Sequence, residues 1–368
     1  MSILSFLIWS PDPAIFTIPL PGSLDDRPVV WYGLLFAAGF LISQQVMYYI
    51  FRTEGKPEKD VDKLTTYMVV AVILGARLGH CLFYNPKFYL SNPIEILKIW
   101  EGGLASHGGA IGIFIAIWLF VRNIKGYSWF WMLDRLAIVT CLTGAMIRTG
   151  NLMNSEMEGT ATKANYGIVY ARGTKDVLAL DDEKVASVSF KKGGKMESDE
   201  PGRYPITAVV ELKRGQKYET AAEISYIERN LGGWLRSQTE VIQHIDFGKG
   251  RLSYELIERG GRQYLEIYGI GIVRHAAQIY EALSCVLIML IIFWLWKSKR
   301  DELPEGFMFA VFMMMLWSLR FVDEYFKMNQ EAFEENLTLN MGQILSIPMF
   351  LFGAGVMVYS LRKKKEST

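Results

Sequence analysis

Cysteine and histidine are both scarce: the 368-residue chain holds three of the first and four of the second. Cys81, Cys141 and Cys285 all lie inside apolar runs, with no CxxC or other metal-ligand spacing. A disulfide framework and a zinc cluster are therefore not expected, and the thiols read as small buried hydrophobes. A surplus of charge is missing too. Thirty-nine Lys and Arg face thirty-eight Asp and Glu, for a net charge of +1. That balance excludes a nucleic-acid binder, whose contacts with phosphates need a basic excess. Internal repeats and low-complexity tracts are not visible. Residues 1–20 lack the basic n-region and small-residue cleavage site of a signal peptide. MSILSFLIW reads instead as a short interfacial segment.

Apolar length is what the chain has in abundance. Hydrophobic residues make up 51% and aromatics 13%, with 17 Met and 10 Trp and a mean hydropathy of +0.17. A spanning helix needs about 20 mostly apolar residues. Seven runs qualify: 28–50, 64–84, 105–122, 131–150, 277–296, 305–322 and 341–361. The third is short and glycine-rich, the sixth methionine-rich; FMFAVFMMMLW reads as lipid-facing or packed bulk. Short basic loops mark the cytoplasmic side. FRTEGKPEKDVDK, VRNIKGYSW, KSKRDELPEG and the tail LRKKKEST all fall on one side of seven alternating crossings. The loops 85–104 and 323–340 carry only Lys87, Lys98 and Lys327. The C-terminus is thus expected in the cytoplasm and the N-terminus outside.

Residues 160–272 are of another kind. YGIVYAR, ASVSFKK, ITAVVELK and QYLEIYGI alternate apolar with polar, and turn chemistry such as FKKGGK and RGGR separates them. Such period-two stretches read as half-buried strands. The expected architecture is an all-α polytopic membrane protein of seven transmembrane helices, with an inserted outer-face β-rich subdomain. Its parts are 1–159, helices 1–4 with an N-terminal outer segment; 160–272, the insertion; and 273–368, helices 5–7 with the basic tail.

Ionisable groups inside a span cost about 2.5–3.5 kcal/mol at the bilayer centre and usually mark function. Tyr32, Arg77, His80, His107, Arg148, Asn151, Arg274, His275, Glu281, Arg320, Asp323 and Glu324 all fall in the outer part of the expected spans. Asp134 and Arg135 are the cytoplasmic exceptions. Charges near helix ends can also snorkel to the headgroups, but snorkelling would populate both ends. The polar set therefore reads as one site near the outer interface. His107 precedes Gly108, Gly109 and Gly112, small residues that let a helix or a lipid headgroup approach the backbone. His107 itself is either a base or a hydrogen-bonding partner. Arg148 and Asn151 share a helix face; Glu156 joins them only if the segment unwinds after Gly150. Arg320 and Glu324, four residues apart, either pair with each other or face the site. Two arginines from different helices suit a phosphate, so the residues point to a headgroup site for an anionic phospholipid.

The motifs WYGLLFAAGF, GARLGHCLFYNP, WEGGLASHGGAIG, RTGNLMNSEMEG, HAAQIYEA, LRFVDEYF and LNMGQILSIPM, in that order, resemble the bacterial phosphatidylglycerol–prolipoprotein diacylglyceryl transferases. HGGxIG followed by RxGNxxNxExxG is the specific combination. The resemblance implies an inner-membrane enzyme that moves the diacylglyceryl group of phosphatidylglycerol onto the lipobox cysteine of preprolipoproteins. The products are a thioether and glycerol 1-phosphate, and no metal or other cofactor is needed. It further implies a site made of Tyr32, His107, Arg148, Asn151, Glu156, Gly159, Arg320 and Glu324, with Gly108 and Gly109 beside the lipid. Arg148 and Arg320 would hold the phosphate, with Asn151, Glu156 and Glu324 orienting them. The base is left open among His107, Glu156, Glu324 and an arginine field that lowers the thiol pKa. The chain departs from the family pattern at HAAQIYE (family HPSQLYE), at YFKMNQE after the sixth span, and in the length of 160–272. The competing readings are an outward-facing anionic-phospholipid-binding transporter and an assembly scaffold. A transporter would show polar residues in both membrane halves and often repeat symmetry; neither is seen.

Overall fold

A backbone in hydrocarbon must satisfy its own hydrogen bonds, so long apolar runs become helices. The computed structural model describes residues 6–19, 27–99, 102–103, 105–328 and 337–367. Leu7–Trp9 (β1), Ala14–Ile18 (β2) and Arg27–Val30 (β3) precede Trp31–Thr53 (α1) and Lys59–Phe83 (α2). Pro86–Ser91 (α3) and Ile94–Leu97 (α4) are short. Ser106–Asn123 (α5) and Trp129–Met153 (α6) follow. Next come Ile168–Tyr170 (β4), Arg172–Leu178 (α7), Val185–Lys192 (β5), Arg203–Leu212 (β6), Ala221–Ser225 (α8), Gly232–Ser237 (α9), Thr239–Ile242 (α10), Ile245–Asp246 (β7), Tyr254–Arg259 (β8) and Arg262–Ile272 (β9). The chain closes with Ala277–Lys299 (α11), Phe307–Asp323 (α12) and Met341–Ser367 (α13). Five of these helices, α1, α2, α6, α11 and α13, are long and apolar enough to cross a membrane. The other two expected spans, α5 and α12, are apolar helices of 18 and 17 residues.

The chain divides into two units. The first comprises residues 1–35, 147–282 and 320–343, the second 36–146, 283–319 and 344–368. Helices α1, α6, α11, α12 and α13 each begin or end in the first unit and continue in the second.

In the second unit, Met47, Phe51, Phe120, Met132, Ile138, Ile292 and Trp296 form the buried core. Helices α2 and α5 meet through glycine. A Cβ on Gly75 would overlap the Gly108 carbonyl oxygen, and one on Gly112 would overlap that of Ala71. Glycine at these positions therefore sets how close the two backbones come. Gly75→Val is expected to force the pair apart and lower the thermal unfolding midpoint in detergent, while Gly355→Val, where nothing lies near the added carbon, leaves it unchanged. Equal midpoints would show that this contact contributes little.

Asp134 and Arg135, set apart from the polar set in the sequence, have structural roles. Asp134 accepts backbone hydrogen bonds from Gly306 (2.8 Å) and Phe309 (2.7 Å), capping the first turn of α12. Arg135 donates to both carboxylate oxygens of Glu54 at 3.0 and 2.9 Å, and the indoles of Trp131 and Trp296 donate to the same group. Arg77, counted above among the polar site candidates, donates to the carbonyls of Glu95, Ile96, Gly102 and Gly103 and is 3% exposed. Its charge is committed to these four carbonyls.

The first unit contains a five-stranded sheet, ordered β5-β6-β9-β7, with β8 also on β9. The alternation read in the sequence is what buries it. Ile206, Ala208, Val210 and Leu212 of β6 and Leu265 and Ile267 of β9 point into one core with Val169, Ile227 and Leu235. The sequence reading foresaw β4, β5, β6 and β9 but not β8, nor the helical stretch 221–242. There Thr220 and Glu223 form a capping box at the start of α8. The Lys184 ammonium and the cap donors hold the Glu223 carboxyl down to about 2. Trp9 belongs to β1, which pairs in parallel with β4 (Leu7 opposite Ile168, Trp9 opposite Tyr170), a strand the interfacial reading did not foresee.

Candidate functional site

Helix α6 carries Arg148 and Asn151 on its last turns and runs through Gly150 without unwinding, to Met153. Gly150 serves a different end: a Cβ there would stand 3.0 Å from Tyr32 Cδ2, so its absence lets the Tyr32 ring lie against α6. The chain turns back after Met153 instead. Ser155 (φ 51°) and Met157 (φ 60°) adopt the left-handed conformation that L-residues avoid. The Glu156 amide then donates to the Asn151 carbonyl at 2.9 Å. This reversal, not an unwinding at Gly150, brings Glu156 to Asn151. Asn151 Nδ2 and Asn154 Nδ2 donate to its two carboxylate oxygens at 3.2 and 3.1 Å. Gln278, fully buried, donates to the Glu156 carbonyl (2.7 Å) and accepts from the Tyr170 hydroxyl (2.7 Å).

After this turn, residues 158–162 lie between two other segments. Thr160 and Met328 exchange backbone bonds with Phe326 and Glu158, while His275 and Thr162 bond to Thr160 and Val273. Gly159 is pressed so close to His275 that a Cβ would overlap the His275 carbonyl oxygen. Arg274 adds a buried clamp, donating to the Gln243 carbonyl (2.6 Å) and the Gly159 carbonyl (3.1 Å). Burial pushes the Tyr170 phenol up, and the Arg274 guanidinium and His275 imidazole down, from their ordinary values.

The charged side chains form a row of alternating sign. Arg148 Nε lies 2.8 Å from Glu281 Oε2. Lys327 Nζ lies 3.7 Å from Glu281 Oε1 and 3.5 Å from Glu324 Oε1. Glu324 Oε1 is 3.2 Å from Arg320 Nη2. The three inner members are almost wholly buried, with side chains 7%, 4% and 8% exposed, whereas the arginines at the two ends are 19% and 34% exposed. The row therefore anchors both guanidinium groups from behind and leaves part of each surface accessible. Buried charges tolerate such an arrangement only when paired. Glu324 is further fixed by Asn340 Nδ2 at 3.4 Å and fills the space left by Gly342, where a Cβ would overlap its carboxyl group. Asn340 and Gln343 bond each other's backbone N–H and cap α13.

Tyr32, Arg148, Asn151, Glu156, Gly159, Arg320 and Glu324 thus all belong to the first unit. His107, Gly108 and Gly109 belong to the second. There the His107 ring lies edge-on to Phe83, with centroids 4.9 Å apart, and stacks near Tyr84; Gly108 and Gly109 face α2. The sequence reading passed over two members of the row. Lys327 was counted only as a loop charge, and Glu281 appeared in the polar census without a role. The signal for Lys327 was its spacing three residues beyond Glu324. Among the described residues, no group of three His, Cys, Asp or Glu side chains is placed to hold a metal. Trp100, Glu101 and Leu104 of WEGGLASHGGAIG, and the end of YFKMNQE beyond Met328, lie outside the described residues.

The sequence model of the family described as prolipoprotein diacylglyceryl transferase matches residues 22–359. A phosphatidylglycerol–prolipoprotein diacylglyceryl transferase of Tolumonas auensis is 33% identical over 358 residues, covering 97% of this chain and 99% of the relative. The proteins of that name from Porphyromonas gingivalis and Chloroherpeton thalassium are 32% and 27% identical, covering 98% and 99% of this chain and 97% of each relative. The family match spans residues 160–272 as well as the helices. With apolar helices in the expected places and a match over nearly its whole length, this chain is a multi-pass membrane protein and belongs to the prolipoprotein diacylglyceryl transferase family.

Proposed function

We propose that this protein transfers the diacylglyceryl group of phosphatidylglycerol to a prolipoprotein, at the lipobox cysteine. The observation that carries the reading is the match over residues 22–359, together with two arginines held by one buried charge row. The acceptor thiol gives up its proton, and the thiolate attacks the glyceryl carbon that bears the phosphate. A C–S bond forms as the C–O bond breaks, and glycerol 1-phosphate departs with the electron pair. Arg148 and Arg320 grip the phosphate oxygens and stabilise the charge gathering on the leaving group. Glu281, Lys327 and Glu324 hold the guanidiniums, while Asn151 and Glu156 brace the end of α6. Tyr32 and Gly159 shape the wall, while Gly108 sets the close approach of α5 to α2, which Gly109 also faces. His107, Glu156 or Glu324 takes the thiol proton, or the arginine field lowers the thiol pKa far enough for the proton to pass to solvent.

The same reading sets seven crossings of a bacterial inner membrane, with the N-terminus periplasmic and the C-terminus cytoplasmic. Residues 1–159 and 273–368 supply the helices, and 160–272 form a periplasmic subdomain. The test uses purified protein in phosphatidylglycerol-containing micelles with a lipobox peptide. A diacylglyceryl mass gain on the peptide, equimolar release of glycerol phosphate, and loss of both with a Cys→Ser peptide are expected. A well-folded protein that lipidates nothing would overturn the reading.

A further inference from the structure

The other face of the 154–158 turn borders a cavity of about 440 Å³ within the first unit, on the scale of small-ligand pockets, roughly 300–1,000 Å³. Its charged lining is Glu156, Glu158, Asp176, Glu240 and Arg172, a clear negative excess. The carboxylates are spread around the wall rather than converging on a point, and no metal-holding group of three exists among the described residues. His244 also lines the cavity. It is 6% exposed, its Nε2 lies 2.9 Å from Glu158 Oε2, and its Nδ1 has no hydrogen-bond partner. Asn154 Oδ1 and Ser155 Oγ, on the same wall, have none either. Arg172 Nε is a fourth. Buried polar atoms are normally satisfied, so four orphans on residues that line one cavity mark a place where another molecule completes the hydrogen bonding. The walls are fastened: Arg172 Nη1 donates to the Asn154 carbonyl, and α7 lies so close to α10 at Gly173 that a Cβ there would stand only 3.0 Å from Glu240 Cβ.

We infer that this cavity binds the acceptor polypeptide, through the residues that follow its lipid-accepting cysteine, and that it favours basic side chains there. The inference rests on the transferase reading and deepens it. Of the two substrates, the phospholipid is anionic and is repelled by a carboxylate-lined wall, while the polypeptide supplies both cationic side chains and backbone groups for His244, Asn154 and Ser155. One turn of chain, 154–158, separates the two surfaces. Glu156 lies on it, bonded to Asn151 of the helix that carries Arg148 and also part of the cavity lining. Peptide and lipid sites would thereby share a wall.

The test uses full-length protein in phosphatidylglycerol micelles and three lipobox peptides that differ only in the three residues after the cysteine: lysine, glutamine or glutamate. Asp176→Asn/Glu240→Gln is the variant; both side chains are exposed and neither belongs to the phosphate site. The lysine peptide is expected to show a KM about two- to fivefold below that of the glutamate peptide, the scale of solvent-exposed ion pairs. In the variant this ratio falls towards one, with kcat and the lipid KM unchanged. Because the micelle is the same for both proteins, attraction of lysine to its anionic surface cancels in the comparison. A ratio of one in the wild type, or a ratio that survives in the variant, would overturn the inference. If no peptide is lipidated, the transferase reading fails separately. Fluorescence anisotropy with labelled Cys→Ser peptides then still decides whether the cavity prefers basic sequences.

Discussion

Arg148→Ala is expected to reduce diacylglyceryl transfer by about 10²–10³-fold or more, the loss typical of removing one preorganised group from a developing anion. The guanidinium is one end of the charge row, 2.8 Å from Glu281; on the proposed reading its loss removes a phosphate ligand, and it leaves the buried Glu281 carboxylate with Lys327 alone. These effects are separable. Arg148→Ala/Glu281→Gln removes that carboxylate's charge and is expected to recover thermal stability without recovering turnover. Arg148→Lys keeps a charge but loses the planar fork, and most of the activity should go with it. The measurements are peptide mass gain and the melting midpoint of each purified variant. Substantial transfer by a stable Arg148→Ala protein would remove this residue from the phosphate site.

Lys327→Met should be the most damaging single change to stability within the site, at about 3–5 kcal/mol, the range for breaking a buried ion pair. Its ammonium lies between two carboxylates, 3.7 Å from Glu281 and 3.5 Å from Glu324, with a side chain only 4% exposed. Methionine fills similar space but leaves two buried anions facing each other. Both arginines would lose their backing, so activity should fall with stability. Lys327→Arg is expected to retain most of both. A Met variant that melts with the wild type would show that Glu281 and Glu324 are adequately balanced by the arginines alone.

Much of this molecule can be read along the chain because its two kinds of periodicity are so distinct. Runs of twenty apolar residues have no alternative to helix in hydrocarbon, and all seven runs are helical. Alternation in ITAVVELK and QYLEIYGI has only one face to bury, and β6 and β9 lie side by side accordingly. The arginines, Asn151, Glu156 and Glu324 stand out as polar groups where polar groups are costly. Short motifs around them are specific enough to carry the family. Less legible were β8 and the helical stretch 221–242, where short elements depend on packing against β9 and the core.

What the residues alone determined, then, is the set of apolar helices, the sheet-forming segment and the identity of the polar groups, because each is a local property of composition and period. Only the tertiary structure decided how those groups are used. It placed Arg77, Asp134 and Arg135 in structural roles, since their partners come from carbonyls, amides and a glutamate distant in sequence. It turned Glu156 back on Asn151 through two left-handed residues that no helical wheel anticipates. And it threaded Lys327 between Glu281 and Glu324, because buried charges are stable only where the fold brings opposite signs together.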